Sequence, residues 1–66
     1  MRIVCNGKDY ELDEGSTVAV LLTLLELAPA TVVVEHNGVI LAPAHYAEQR
    51  LAEGDRLELV RFVGGG

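Results

Sequence analysis

Three consecutive glycines, Gly64, Gly65 and Gly66, close the sequence, and the chemistry they offer needs no side chain. Lacking Cβ atoms, they reach backbone conformations closed to other residues and occupy only the width of a main chain. Such a segment can thread a narrow channel into another protein's active site and deliver one reactive group there, the α-carboxylate of Gly66. A carboxylate is a poor electrophile. Its usual biological activation is attack on the α-phosphate of ATP, which gives an acyl-adenylate. A sulfur nucleophile then displaces AMP and leaves a thiocarboxylate. An enzyme partner would supply ATP, magnesium and the acid–base groups, so the domain itself is expected to bind no cofactor and to contribute no catalytic side chain. A glycine run alone is a weak signal, because chain ends are often unordered. Its weight comes from the strand that precedes it.

In that strand, expected over residues 56–63, Leu57 and Leu59 face one side while Val60 and Phe62 face the other. With the leucines against a helix, Val60 and Phe62 sit on an uncovered sheet face beside the tail, with Val4 a candidate neighbour. An apolar patch there is what docking onto a partner requires, Arg61 would add a charged contact at its rim, and Val63 completes the segment. The plainer account is that single exposed apolar residues are ordinary. Cys5 invites a sulfur-transfer role, but it shares the core face of a strand with Ile3 and reads as a buried structural thiol. His36 and His45 lack the spacing partners of a zinc site, which needs three or four ligands, so no metal is expected. His36 reads as a strand histidine satisfied locally and His45 as a loop histidine in water. Asp9, Glu11 and Asp13 line one strand face, first as a solvated, aggregation-resistant edge and second as a means of steering onto a basic partner surface.

The elements that would position these residues are legible in short stretches. Residues 2–6 alternate, Asn6-Gly7 is a type I′ hairpin signal, and residues 8–13 alternate again, Tyr10 and Leu12 against the three carboxylates. Ser16 or Thr17 can cap a helix whose Val18, Leu21, Leu22 and Leu25 follow the i, i+3, i+4, i+7 spacing of a core stripe. Val20, Leu24 and Leu27 widen that stripe, either sunk into the curve of a sheet or meeting a partner along one flank, and Pro29 closes the helix. Residues 31–37 read as a strand with Val32, Val34 and His36 on one face. Asn37-Gly38 is a second tight-turn signal before a short strand at Val39-Ile40-Leu41. Residues 42–52 read as a loop with one irregular helical turn around Tyr46 and Leu51, and Glu53-Gly54-Asp55 as a turn.

Hairpin, helix, strand, loop, strand is an α+β order with one main helix on one face of a mixed sheet of four to five strands. A right-handed crossover and adjacent hairpin strands leave one compact solution, in which the last strand lies parallel beside the first. This is the β-grasp, or ubiquitin-like, arrangement, with a domain over residues 1–63 and a flexible tail at 64–66. Composition agrees. At 66 residues the chain is a single small domain, 50% hydrophobic and 23% charged, with one cysteine and a net charge of −5. That balance argues against nucleic acid, and the most apolar stretch, at 18–25, is far short of the ~20 residues of a membrane span. The start has no apolar leader, so a cytoplasmic location is expected. Ligand pockets run to ~300–1,000 Å³, which a core this small can hardly spare. A carrier or binding module is therefore the better expectation than an enzyme.

Nearly the whole chain resembles the thiamine-biosynthesis sulfur carrier (ThiS) family. The resemblance is carried by Asn6-Gly7, Ser16-Thr17-Val18 with Leu21-Leu22, and Val34-Glu35-His36-Asn37-Gly38. It continues through Tyr46-Ala47-Glu48 and Gly54-Asp55 to Phe62-Val63-Gly64-Gly65-Gly66, the most specific piece. His36 stands where an aliphatic residue is more usual. The resemblance implies adenylation of Gly66 by a ThiF-type enzyme, a sulfur-relay protein that yields the thiocarboxylate, and transfer to thiazole synthase (ThiG). Two other readings stay open: a carrier with the same chemistry serving molybdopterin, cysteine or tRNA thiolation, and a β-grasp interaction module with an inert tail.

Overall fold

The structure, a computed structural model, describes residues 1–62. Two strands open it, β1 (Arg2–Cys5) and β2 (Lys8–Glu11), followed by helix α1 (Val18–Leu24). Then come β3 (Val32–His36), β4 (Val39–Leu41) and β5 (Arg56–Arg61), with single 3₁₀ turns at Pro29–Thr31 and Pro43–His45. The five strands form one mixed sheet in the order β2-β1-β5-β3-β4. β5 is central, parallel to β1 and antiparallel to β3. This is the expected β-grasp topology. The final strand ends at Arg61 among the described residues, while Val63 and the tail at 64–66 lie outside them.

Both hairpins turn on the same dipeptide for the same reason. Asn6 and Gly7 have φ of 50° and 79°, and Asn37 and Gly38 of 49° and 86°. Positive φ at both central positions is what a type I′ turn demands, and Asn-Gly meets it at least cost. Cys5 therefore pairs with Lys8 and His36 with Val39, which fixes the register that puts each apolar set on the helix side.

The core forms between that side of the sheet and α1. Ile3, Cys5, Leu57, Leu59, Val32 and Val34 meet Val18, Leu21 and Leu22, and the 42–52 loop closes the rim with Tyr46 and Leu51. Tyr46 keeps its hydroxyl paired by donating to the Val32 carbonyl at 3.2 Å. The loop also serves the helix start, where the first N–H groups have no partner within the helix. Val18 N donates to Gln49 O, Ala19 N to Tyr46 O, and Val20 N to the Thr17 hydroxyl. Thr17 is thus the cap, while Ser16 closes the preceding turn by donating to Asp13 O at 2.7 Å.

The helix is shorter than its leucines suggest. Glu26 takes a left-handed conformation, φ 57°, and the C-terminus closes with Leu27 N on Leu22 O and Glu26 N on Thr23 O, the paired bonds of a Schellman motif. Pro29 therefore does not stop the helix; it opens the 3₁₀ turn that follows. Val20 and Leu24 do not widen the core stripe either. They point outward, Leu24 being 62% exposed, whereas Leu25 and Leu27 pack partly against the core. A seven-residue helix can bury only one narrow face, and the sheet offers no second wall for the other.

A polar cluster locks the opposite end of β5. His36 Nε2 lies 2.8 Å from Asp55 Oδ2, Asn37 Nδ2 donates to Asp55 Oδ1 at 3.1 Å, and Ala52 N donates to Asp55 Oδ2 at 2.9 Å. His36 is satisfied locally, as expected, and Asp55 explains how a histidine is accommodated at that position. His45 is exposed to solvent, as expected, with its Nδ1 3.5 Å from the likewise exposed Glu48 Oε2, one helical turn away. Burial alone would raise the Asp55 pKa. The hydrogen bonds from His36, Ala52 and Asn37, with the attraction of His36, outweigh it and hold the carboxyl below its usual value.

Two predictions follow from these local devices. Glu26→Gly should stabilise the domain by about 1 kcal/mol, because a side chain in the left-handed region costs that much and glycine does not; urea unfolding measures it, and an unchanged midpoint would contradict it. The Asp55 carboxylate, with its folded pKa below the unfolded value of about 3.9, contributes stability that is present above that value and is lost as pH falls through the folded one. Asp55→Asn should accordingly flatten the acid limb of the stability–pH profile, read from unfolding curves across the acid range.

Candidate functional site

Because β5 has a neighbour on each side, the point where it ends is the most firmly held exit from the sheet. Phe62 N donates to Thr31 O at 2.9 Å just beyond the strand, and at the other side Asn6 clamps the strand's middle. Its amide donates to Leu59 O at 3.2 Å and accepts from Leu59 N at 2.8 Å. Asn6 thereby continues the β1–β5 ladder with a side chain in place of backbone. Gly64, Gly65 and Gly66, expected to carry the chemistry, lie outside the described residues, as does Val63.

Val60 and Phe62 are 62% and 63% exposed on the sheet face that α1 leaves open. Val33 pairs with Val60 across β3 and β5, and Ile40 on β4 extends the same face, 69% exposed. An open apolar cleft of about 210 Å³ runs over the edge beside them, with Ile40, Val33, Phe62, Ala30, Pro43 and Tyr46 in its lining. The structure thus brings Val60 and Phe62 together with three residues the sequence reading did not single out: Val33, Ile40 and Pro43. Strand parity was the available signal for Val33, since it alternates with the buried Val32 and Val34. Two candidates are not part of the patch. Val4 lies opposite Arg56, with Glu58 between it and Val60 along the face. Arg61 pairs with Val32 and shares the parity of Leu57 and Leu59, so it projects to the helix side, exposed where the helix no longer covers the sheet.

Cys5 is buried at 2% exposure. Burial pushes its thiol pKa up, and the nearby Glu58 carboxylate adds to the effect. Little thiolate forms at neutral pH, which suits a structural residue and not a nucleophile. Among the described residues no group of three or more His, Cys, Asp or Glu side chains could hold a metal ion, and no helix is long and apolar enough to cross a membrane. Asp9, Glu11 and Asp13 are all exposed; Glu11 lies 3.4 Å from Arg2 across the hairpin.

Comparison with known proteins places this geometry. The model of the ThiS family matches residues 3–66. The sulfur carrier protein ThiS of Bacillus subtilis is 41% identical over 63 residues, covering 92% of this chain and 94% of that protein. The crystal structure of the thiamine biosynthesis protein ThiS from Geobacter metallireducens superposes with a TM-score of 0.81 at 36% identity, over 100% of both chains. A thiazole synthase from Magnetococcus marinus is 38% identical over all 66 residues, and there this chain spans only 20% of the longer protein.

The exposed placement of Phe62 makes a direct prediction. Phe62→Asp should change the unfolding free energy by no more than about 0.5 kcal/mol, the usual range for surface positions. A loss of the size seen for core truncations, about 2–5 kcal/mol, would put Phe62 inside the core.

Proposed function

The chain belongs to the ThiS family of sulfur carriers, and on that premise we propose that it carries sulfur as a C-terminal thiocarboxylate on Gly66, for thiazole formation in thiamine biosynthesis. The observation that carries this reading is the match to the Bacillus carrier over almost the full length of both proteins, joined to a central β5 from which the glycines continue. The carboxylate of Gly66 attacks the α-phosphate of ATP in a ThiF-type partner, forming a mixed anhydride and releasing pyrophosphate. Sulfide (HS⁻) released by a relay protein then attacks the acyl carbon, the bond to AMP breaks with AMP and a proton leaving, and the thiocarboxylate remains. The carrier's own part is mechanical. It supplies a rigid body, a narrow side-chain-free lead through Gly64 and Gly65, and a grip for the enzyme on Val60 and Phe62, with Val63 next in sequence. No side chain of the domain acts on the reacting atoms, so the catalytic groups belong to the partners, and the cycle is set in the cytoplasm.

Thiazole synthase is the proposed acceptor. What supports it is that a segment like this chain along its whole length forms part of a protein of that name in Magnetococcus marinus, and of another in Paramagnetospirillum magneticum. Shared polypeptides keep two partners at high effective concentration, a sensible arrangement when one hands a labile group to the other.

Intact-mass measurement of the protein co-expressed with its adenylating enzyme tests the proposal. One C-terminal oxygen should be replaced by sulfur, and deletion of Gly66 should abolish that product while the unfolding midpoint stays where it was. A chain that shows only the carboxylate under these conditions, or a deletion variant that still takes up sulfur, would refute the mechanism.

A further inference from the structure

The open sheet face carries a second feature beside its apolar row. Glu35 on β3 and Glu58 on β5 are directly opposite each other in register, on the same face as Val33 and Val60. Like charges placed so are destabilising in a sheet, and the local structure does not relieve them. Among the described residues neither carboxylate forms an ion pair. Arg56 shares the face two positions before Glu58, yet makes no ion pair there, and Ile40 stands across from Glu35 on β4. A domain of marginal size therefore keeps a repulsive pair one step along the ladder from its exposed apolar patch.

We infer that Glu35 and Glu58 together receive one basic side chain, an arginine or lysine, from a protein partner that lays an apolar residue on Val60, Phe62 and the neighbouring cleft. The inference rests on the docking role proposed above for that patch and adds the charge that selects the partner. Charge decides the occupant. A second copy of this chain would bring another acidic pair to the face, and the domain already carries a net charge of −5. An anionic lipid surface or a nucleic acid would meet the same repulsion. A cation flanked by apolar surface satisfies both halves of the face, converting a repulsion in the free carrier into two attractions in the complex. The free carrier is the less stable for it, and the bound one is the more specific.

The full chain and its Glu35→Gln/Glu58→Gln variant would be compared for binding to purified thiazole synthase across a salt series, with thermal unfolding of each carrier in parallel. The double variant should associate roughly tenfold more slowly at low salt, with a flatter salt dependence, while its unfolding midpoint equals or exceeds that of the parent. Unchanged association and salt slope would overturn the inference, and so would a drop in midpoint that accompanies the loss of binding. Phe62→Asp in the same assay separates the two levels. If it weakens binding while the glutamate variant does not, the docking surface stands and the acidic receptor falls. If Phe62→Asp has no effect either, or the parent does not bind, the docking role itself is wrong. Sedimentation equilibrium showing a parent dimer that Phe62→Asp dissolves would assign the face to a second copy and overturn the inference as well.

Discussion

The two-sided hydrogen bonding of β5 is the constraint from which the rest of the molecule follows. A strand with ladders on both flanks cannot fray sideways, so β1 and β3 hold it in a single register. Its alternate residues are then committed, Leu57 and Leu59 to the core, Glu58 and Val60 to the open face. Because one short helix covers only one side of the sheet, the opposite side is left as surface by geometry and not by residue choice. The core, the open face and the direction of the chain's exit all derive from that placement.

Much of this was legible in the sequence because the informative signals were local and stereochemically strict. Asn-Gly at 6–7 and 37–38 announces two hairpins through a φ requirement few dipeptides meet, and the parity of Ile3, Cys5, Leu57 and Leu59 marks the core side of two strands. The central position of the last strand followed from handedness and adjacency rules that need no coordinates. The misreadings arose where a local pattern competed with the global supply of partners. Seven apolar positions between 18 and 27 read as a broad stripe, but the sheet has room for a narrow one, so Leu24 faces solvent. Pro29 looked like the natural helix stop, yet the chain had already reversed at Glu26, a residue with no propensity signal for the left-handed region. Val4 was misplaced for a different reason: its neighbours depend on the stagger between strands, which alternation alone does not encode, whereas the side of Arg61 follows from its parity with Leu57 and Leu59.

The site divides in the same way. Val60, Phe62 and Val33 could be read from parity, whereas Ile40 and the acidic pair became visible only once register brought three strands side by side. This is a general property of surfaces built on sheets. Each strand contributes one or two residues, so no single segment carries a motif.

The Asn6 clamp on Leu59 has a consequence for the order of assembly. It spans 53 positions, and β1 has no inner neighbour until residues near 56–59 arrive to occupy the gap. A chain emerging from the ribosome can form its first hairpin and helix early, but its sheet stays in two separate halves until β5 is made. Closure entropy is therefore met last within the domain, by the strand that joins the two halves. A product truncated before β5 would lack the keystone of the sheet, so a folded body also certifies that the message was read through that strand.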